Sequence, residues 1–309
     1  MSETQNGDVV DAQEHGNLEL FKCLRAFGCD ENTCERAALG DHPVMLKWLR
    51  ANGWPWDETT ERAALGGHLE LLKCLHAIGW PWAENTGAAA ATGGHLEVVK
   101  WLDANGCPWG EISWAFAAKR GHLEVLKWAQ GEGCSWGGGT CAYAAGGGHT
   151  DVLKWLRAHN CPWGEDTCAA AAFEGHLDTL MWLRKRGAPG FSRSCTAAAN
   201  GGHLDVLMWA RTNGCPWNER TCAAAARGGH LEVLKWARTN GCPWDESTCR
   251  FAAGGGHLET LKWARANDAP WTERTCDFAV RKGHLNVVEW AHASGWPCKH
   301  SSPSSCQIM

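Results

Sequence analysis

The stretch from Cys222 to Asp245 reads CAAAARGGHLEVLKWARTNGCPWD, and closely related words return along most of the 309-residue chain. A histidine marks each copy, at positions 42, 68, 95, 122, 149, 176, 203, 230, 257 and 284, with one spacing of 26 residues and then 27 throughout. Asn17 takes the same position in a degraded first copy. A fixed period of this length predicts a repeat architecture, here of eleven repeats.

Each repeat has the pattern of two helices. Apolar residues at helical spacing define one face of the second helix, and charged residues three apart define the other face: the apolar set is Leu231, Val233, Leu234, Trp236 and Ala237, and the charged set is Glu232, Lys235 and Arg238. The next segment starts with the N-cap candidate Asp245 and continues with small residues, as in a short, closely packed helix. Neither helix buries its apolar side alone, so we expect the repeats to stack into a solenoid.

The words around His230 resemble the ankyrin repeat. Gly229 to Lys235 read GHLEVLK, similar to the family's helix start, with Trp236 in place of the family's leucine, and Gly241 to Asp245 read GCPWD where the family carries Gly-Ala-Asp-Val-Asn. The resemblance extends over all eleven repeats and implies an all-α, ankyrin-like helix-turn-helix solenoid. Against an ankyrin period of about 33 residues, roughly six are missing from the loop that forms a β-hairpin. We therefore expect little or no β-hairpin.

Such short repeats rich in tryptophan and proline resemble the arrays of large DNA viruses and protists. The predicted domains are an N-terminal tail at residues 1–7, a repeat array at residues 8–298 and a disordered C-terminal tail at residues 299–309. The tail ends in Cys306-Gln307-Ile308-Met309, which fits the C-a-a-X pattern for prenylation. Membrane association is expected only if Cys306 is lipidated.

Composition narrows the class of protein. The net charge is -5 and 44% of residues are hydrophobic, so the expectation is a globular, cytoplasmic protein without a basic face for nucleic acid. The first residues, MSETQNGDVVDAQE, lack the apolar region of a signal peptide. The 17 cysteines are odd in number and most recur at fixed repeat positions, which favours reduced thiols over a disulfide framework.

The repeated histidines, cysteines and tryptophans also suit other sites. Equivalent residues of stacked repeats lie about 8–10 Å apart, too far for shared zinc ligands at about 2.0–2.3 Å. We expect the histidines to cap and pack helix starts, and the cysteines to be small buried hydrophobes, with redox or metal use as the alternative. The tryptophans of the second helices should lie in the core, and those of the loops should pack or lie half-exposed at a binding face. No cofactor or metal is expected.

Positions that vary between repeats are the candidates for partner binding, although neutral drift gives the same variation. They lie on the first helix, on the side that faces partners in solenoids. The residues are Glu35, Arg36, Glu61, Arg62, Lys119, Phe173, Arg227, Arg250, Phe251, Asp277, Phe278 and Arg281. They suggest two patches, one near residues 35–62 and one near residues 227–281.

The predicted function is a noncatalytic scaffold or adaptor, a monomer that binds a cellular or host protein. A catalytic site needs unlike groups at one place, and no such group breaks the period. One alternative is a prenylated scaffold at a cytoplasmic membrane face, and another is a metal-thiol protein or an enzyme. The pattern does break at Ala188-Pro189-Gly190-Phe191, where the loop cysteine and tryptophan are missing, and a weak interface or a bend is expected there.

Overall fold

The computed structural model describes residues 59–77, 81–137 and 139–296. The predicted binding residues Glu35 and Arg36, the lipidation candidate Cys306 and both predicted tails lie outside these ranges. Every regular element within them is helical and none is a strand, which confirms the all-α repeat fold for this part of the chain. The chain divides into two compact units, Met1–Trp136 and Gly137–Met309, and each is described by itself.

The described part of the N-terminal unit consists of three helix pairs. Their bounds are Thr59–Leu65 (α1), Leu69–Ala77 (α2), Thr86–Gly93 (α3), Leu96–Ala104 (α4), Glu111–Arg120 (α5) and Leu123–Gly131 (α6). Odd-numbered helices are the first helices of the repeats and even-numbered helices are the second. The first helices α1, α3 and α5 pack against one another in order, and each also packs against its own second helix.

The described part of the C-terminal unit continues the pattern with six helix pairs. Their bounds are Gly139–Gly146 (α7), Thr150–Ala158 (α8), Thr167–Phe173 (α9), Leu177–Lys185 (α10), Ser194–Gly201 (α11), Leu204–Thr212 (α12), Glu219–Arg227 (α13), Leu231–Thr239 (α14), Glu246–Gly254 (α15), Leu258–Ala266 (α16), Glu273–Arg281 (α17) and Leu285–Ala293 (α18). One short 3₁₀ helix, Phe191–Arg193, precedes α11.

Small residues let the first helices approach closely. On α13 and α15 the alanines and cysteines, such as Cys222, Ala225 and Ala252, have no solvent exposure. The second helices contribute branched side chains, for example Val233 at 2% and Leu234 at 0% exposure. The predicted N-cap is confirmed at Asp245, whose carboxylate accepts a hydrogen bond from the Ser247 backbone N–H at 2.9 Å.

The repeated histidines join neighbouring repeats. The His230 ring makes no capping hydrogen bond to its own helix, so the capping part of the sequence prediction is wrong. Its Nε2–H instead donates to the carbonyl oxygen of Asn200, in the preceding repeat, at 3.1 Å. The ring also lies over Gly202, where an added Cβ would come within 2.4 Å of Nδ1. His95, His122, His176, His257 and His284 make the same hydrogen bond 30 residues back along the chain.

The tryptophans lie beside the core and not in it. Trp236 of α14 and Trp244 of the following loop are both half-buried, so the prediction of full burial for the helix series is wrong. Trp217 meets Trp236 edge-on with ring centroids 5.7 Å apart, and the Arg238 guanidinium lies 4.6 Å from the Trp244 ring centroid. The completely buried space is taken up by leucine, valine, alanine and cysteine, which leaves the large indoles at the rim of the packed helices.

The irregular loop before α11 keeps its aromatic contact. Phe191 is 8% exposed and packs edge-on against Trp209 with centroids 5.9 Å apart, as a loop tryptophan does in other repeats. It stands one position later in the repeat than those tryptophans, and Gly190 with φ of 80° accommodates the shift. The aromatic position is therefore filled, which argues against the weak interface expected from the sequence.

Candidate protein-binding site

A row of arginine and phenylalanine side chains crosses three first helices of the C-terminal unit. The Arg227 guanidinium at the end of α13 lies 4.1 Å from the ring centroid of Phe251 on α15. Phe251 meets Phe278 of α17 edge-on, with centroids 6.2 Å apart. Arg250 approaches the same Phe251 ring at 5.1 Å. The predicted patch at residues 227–281 thus contains side chains that contact one another across repeats.

The row depends on a missing side chain at Gly254. A Cβ added there would lie 2.1 Å from Cδ1 of Phe278, so the phenylalanine ring occupies the space above this glycine. Gly254 stands 27 residues after Arg227 and 27 before Arg281, at one register of the repeat. At this register the chain therefore alternates a long cation with an empty position that accepts an aromatic ring.

The positive charge of the row is not neutralised within the described residues. Arg227 and Arg281 are exposed and Arg250 is half-buried, and none of the three forms an ion pair with a described carboxylate. Asp277 on α17 is half-buried, and its Oδ1 accepts no hydrogen bond from a described residue. Guanidinium groups and aromatic edges are the side chains most enriched at the energetic centres of protein interfaces.

The other predicted binding residues lie elsewhere. Glu61 and Arg62 are half-buried on α1, and Lys119 is exposed at the end of α5, all in the N-terminal unit. Phe173 ends α9 in the C-terminal unit with 42% exposure, at the register of Arg227 but two repeats earlier. Glu35 and Arg36, the remaining members of the first patch, fall outside the described residues. Contact between predicted residues is therefore seen at the second patch.

Two exposed methionines form a feature that was missed from the sequence. Met181 on α10 and Met208 on α12 are 43% and 44% exposed, at the register where other repeats carry lysine. In those repeats the lysine pairs with an acidic residue three positions earlier, as Lys235 does with Glu232 at 2.7 Å. The loss of lysine in two consecutive repeats was visible in the sequence and marks an apolar interruption of a charged ridge.

The cysteines pair in a register that the sequence did not suggest. The Cys141 thiol on α7 donates to Cys161 with a Sγ–Sγ distance of 3.3 Å, and these residues are 20 apart. Attention to the seven-residue spacing between a loop cysteine and the next helix missed this pairing, which joins the first helix of a repeat to its own following loop. All six cysteines of the three such pairs have no solvent exposure. The members are Cys141, Cys161, Cys195, Cys215, Cys222 and Cys242.

Burial and hydrogen bonding act together on these thiols. In the isolated case of Cys249, whose loop counterpart is Ala269, burial raises the pKa to about 12. In the pairs, the thiol of Cys141 donates to Cys161, which raises the pKa of Cys141 and lowers that of Cys161. Within the described residues, no three histidine, cysteine or acidic side chains converge as metal ligands would. No helix in the described ranges is long and apolar enough to cross a membrane.

Comparison with known proteins gives one family match. The family model described as ankyrin repeats (many copies) matches residues 249–292, which include the pairs α15/α16 and α17/α18. This part of the chain resembles ankyrin repeats. The match confirms the resemblance drawn from the sequence over these residues. No curated protein sequence matches the chain.

Solved helical-repeat structures also align with the chain. The pentatricopeptide repeat protein PPR10 from maize aligns at 15% identity, over 91% of this chain and 51% of that one, with a TM-score of 0.34. Its complex with an 18-nt psaJ RNA element aligns at 14% identity, over 91% and 56% of the two chains, with a TM-score of 0.29. The chain thus spans about half the length of these proteins.

Proposed function

We propose that this chain is a noncatalytic protein-binding scaffold, and that an acidic surface of a partner protein docks on the arginine–phenylalanine row. The row consists of Arg227, Arg250, Phe251, Phe278 and Arg281. The observation that supports this most directly is the Arg227–Phe251–Phe278 contact chain, which holds a guanidinium in place without neutralising it. The ankyrin-like character of residues 249–292 supports a binding role for the same segment.

Preorganisation makes this row suitable for binding. Stacking on Phe251 removes part of the rotamer freedom of Arg227 before a partner arrives, and that freedom otherwise costs about 0.5–1.5 kcal/mol for each side chain immobilised. The planar guanidinium then presents several N–H donors to a carboxylate in a bidentate arrangement. The phenylalanines supply apolar area beside it. A partner surface with aspartate or glutamate next to an apolar side chain fits this combination.

The proposal concerns a protein partner because the protein carries a net charge of -5 and the row is a small cationic area on an acidic chain. Nucleic-acid binding draws most of its affinity from many phosphate contacts to an extended basic surface. The array over residues 8–298 belongs to the same proposal. Prenylation of Cys306, with attachment to a cytoplasmic membrane face, remains a separate prediction for which Cys306→Ser is the direct test.

The test compares two charge-matched variants. Arg227→Glu with Arg281→Glu removes the row's exposed cations, whereas Arg220→Glu with Arg274→Glu reverses two exposed arginines at the opposite, N-terminal ends of the same helices, α13 and α17. Both doubles change the net charge equally. Each would be expressed in eukaryotic cells with an N-terminal tag, and captured proteins would be quantified by mass spectrometry against the unaltered chain.

We expect a reproducible set of proteins that the unaltered chain and the Arg220/Arg274 variant capture equally. The Arg227/Arg281 variant should capture them at least about 10-fold less, because a central interface arginine contributes on the order of 2 kcal/mol. Circular dichroism would verify that both variants remain helical. Equal capture by all three chains would refute a binding role for the row, and selective loss of RNA instead of protein would reassign it to nucleic acid.

A further inference from the structure

Three repeats place a pair of cysteines in one buried position. In each, a cysteine of the first helix meets the cysteine 20 residues later that begins the Cys-Pro-Trp loop. Cys141 and Cys161 approach to a Sγ–Sγ distance of 3.3 Å, and the Cys195 backbone N–H donates to Cys215 Sγ at 3.1 Å. The Cys195–Cys215 and Cys222–Cys242 side chains are hydrogen-bonded to each other as well. Six buried thiols therefore form three facing pairs.

Two further repeats provide unpaired counterparts within the same chain. Cys168 and Cys249 take the first-helix position, but alanine stands 20 residues later, at Ala188 and Ala269. The thiols of these two cysteines donate to the alanine carbonyl oxygens at 3.6 and 3.8 Å. In the following repeat, Cys276 at the same first-helix position is disulfide-bonded. The first-helix position is thus compatible with a thiol that has no partner and with a covalently bonded sulfur.

The electrostatics of a pair favour one member as the reacting thiolate. The hydrogen bond from Cys141 lowers the pKa of Cys161 more than burial raises it, and the Arg157 guanidinium adds to the lowering. Arg157 donates to the Cys161 backbone carbonyl, which fixes its position beside the sulfur. Arg211 and Arg238 occupy the same place beside Cys215 and Cys242. A thiolate stabilised by a neighbouring thiol and an arginine is the form that attacks an oxidant.

We propose that Cys141–Cys161, Cys195–Cys215 and Cys222–Cys242 are oxidation sites at which hydrogen peroxide converts two thiols into a disulfide within one repeat. The loop thiolate attacks one peroxide oxygen, the O–O bond breaks, and the departing hydroxide takes up a proton to leave as water. The resulting sulfenic acid is attacked by the first-helix thiol, the S–S bond forms, and a second water leaves. The two sulfurs lose two electrons in total and the peroxide gains them.

Burial determines when this reaction takes place. The sulfurs have no solvent exposure, so peroxide reaches them when a repeat interface opens locally. The partner sulfur is already in contact, so it captures the sulfenic acid before further oxidation. The new bond closes a loop of about 20 residues and ties the first helix to the loop that follows the second helix. Such a cross-link restricts the unfolded chain, so it stabilises the repeat.

The experiment treats the reduced protein with hydrogen peroxide under native conditions. Excess oxidant is then removed, remaining thiols are alkylated after denaturation, and peptides are mapped by mass spectrometry. We expect disulfide-linked peptides that join residues 20 apart, while Cys168 and Cys249 remain alkylated thiols. The thermal midpoint should rise by roughly 5–10 °C per cross-link, and dithiothreitol should reverse the rise.

The matched variant is Cys161→Ala, which copies the alanine that the chain carries at positions 188 and 269. It should lose the 141–161 cross-link alone and retain the other two. Three results would overturn the proposal: peptides linked in the seven-residue register, such as Cys215 to Cys222, equal oxidation of Cys168 and Cys249, or thiols that all survive peroxide. A fall of the thermal midpoint on oxidation would show that the native geometry does not accept the bond.

Discussion

Replacing Gly190 by alanine should destabilise the C-terminal unit more than the same change at Gly187, although the two glycines lie in one turn. Both adopt the left-handed region, with φ of 80° at Gly190 and 73° at Gly187. An alanine pays a similar backbone cost at either position, about 1–2 kcal/mol. The surroundings differ, since an added Cβ at Gly187 meets no atom within 4 Å whereas one at Gly190 would lie 1.7 Å from the Glu165 carbonyl oxygen.

A backbone oxygen at that distance has to move, together with the chain that carries it. The usual cost of overpacking is about 1–3 kcal/mol, so the total for Gly190→Ala is about 2–5 kcal/mol against about 1–2 kcal/mol for Gly187→Ala. The displacement should centre on the segment Phe191–Arg193, which follows directly. With an m-value of about 2–3 kcal/mol per M, the two urea midpoints should differ by roughly 0.5–1 M.

Urea unfolding followed by tryptophan fluorescence would measure the difference. Because repeat arrays need not unfold in two states, native-state hydrogen exchange of the amides in α11 would locate the loss. Exchange in α11 should accelerate in Gly190→Ala and stay near the original rate in Gly187→Ala. If the two variants lose equal stability, then the close approach of Gly190 to the Glu165 carbonyl does not exist, and the account of the irregular loop is wrong.

Two further predictions concern stability. His230→Ala should lower the free energy of unfolding by about 1–3 kcal/mol, because the Asn200 carbonyl loses its hydrogen bond, whereas Lys235→Ala, which removes an exposed ion pair, should change it by less than about 0.5 kcal/mol in the same denaturation assay; equal losses would contradict the joining role of the histidine. The pKa of Cys249 is raised from 9.0 to about 12 in the folded chain, so the unfolded state loses this proton first and stability should fall by about 1.4 kcal/mol per pH unit above pH 9, with the full contribution present below it. Cys249→Ala should reduce that slope between pH 9 and pH 11, and an unchanged slope would exclude the buried thiol as its cause.

The sequence alone was sufficient for the elements of this fold. The 27-residue period, the helical spacing of Leu231, Val233 and Leu234, and the cap at Asp245 predict helix pairs, because these signals act within one turn or one helix. The general nature of the array followed as well, since neither helix has an apolar face that it buries alone. The position of the variable residues on the first helices was also readable from the register.

Contacts between repeats were decided by tertiary structure. The hydrogen bond of His230 reaches 30 residues back, Arg227 stacks on a ring 24 residues ahead, and Cys141 meets Cys161 at a separation of 20. The half-exposed tryptophans have the same origin, because the close approach of the alanine-rich first helices leaves no room for indoles in the core. These distances depend on how one helix pair rests on the next, and periodicity along a chain records that repeats stack without recording which atoms then meet.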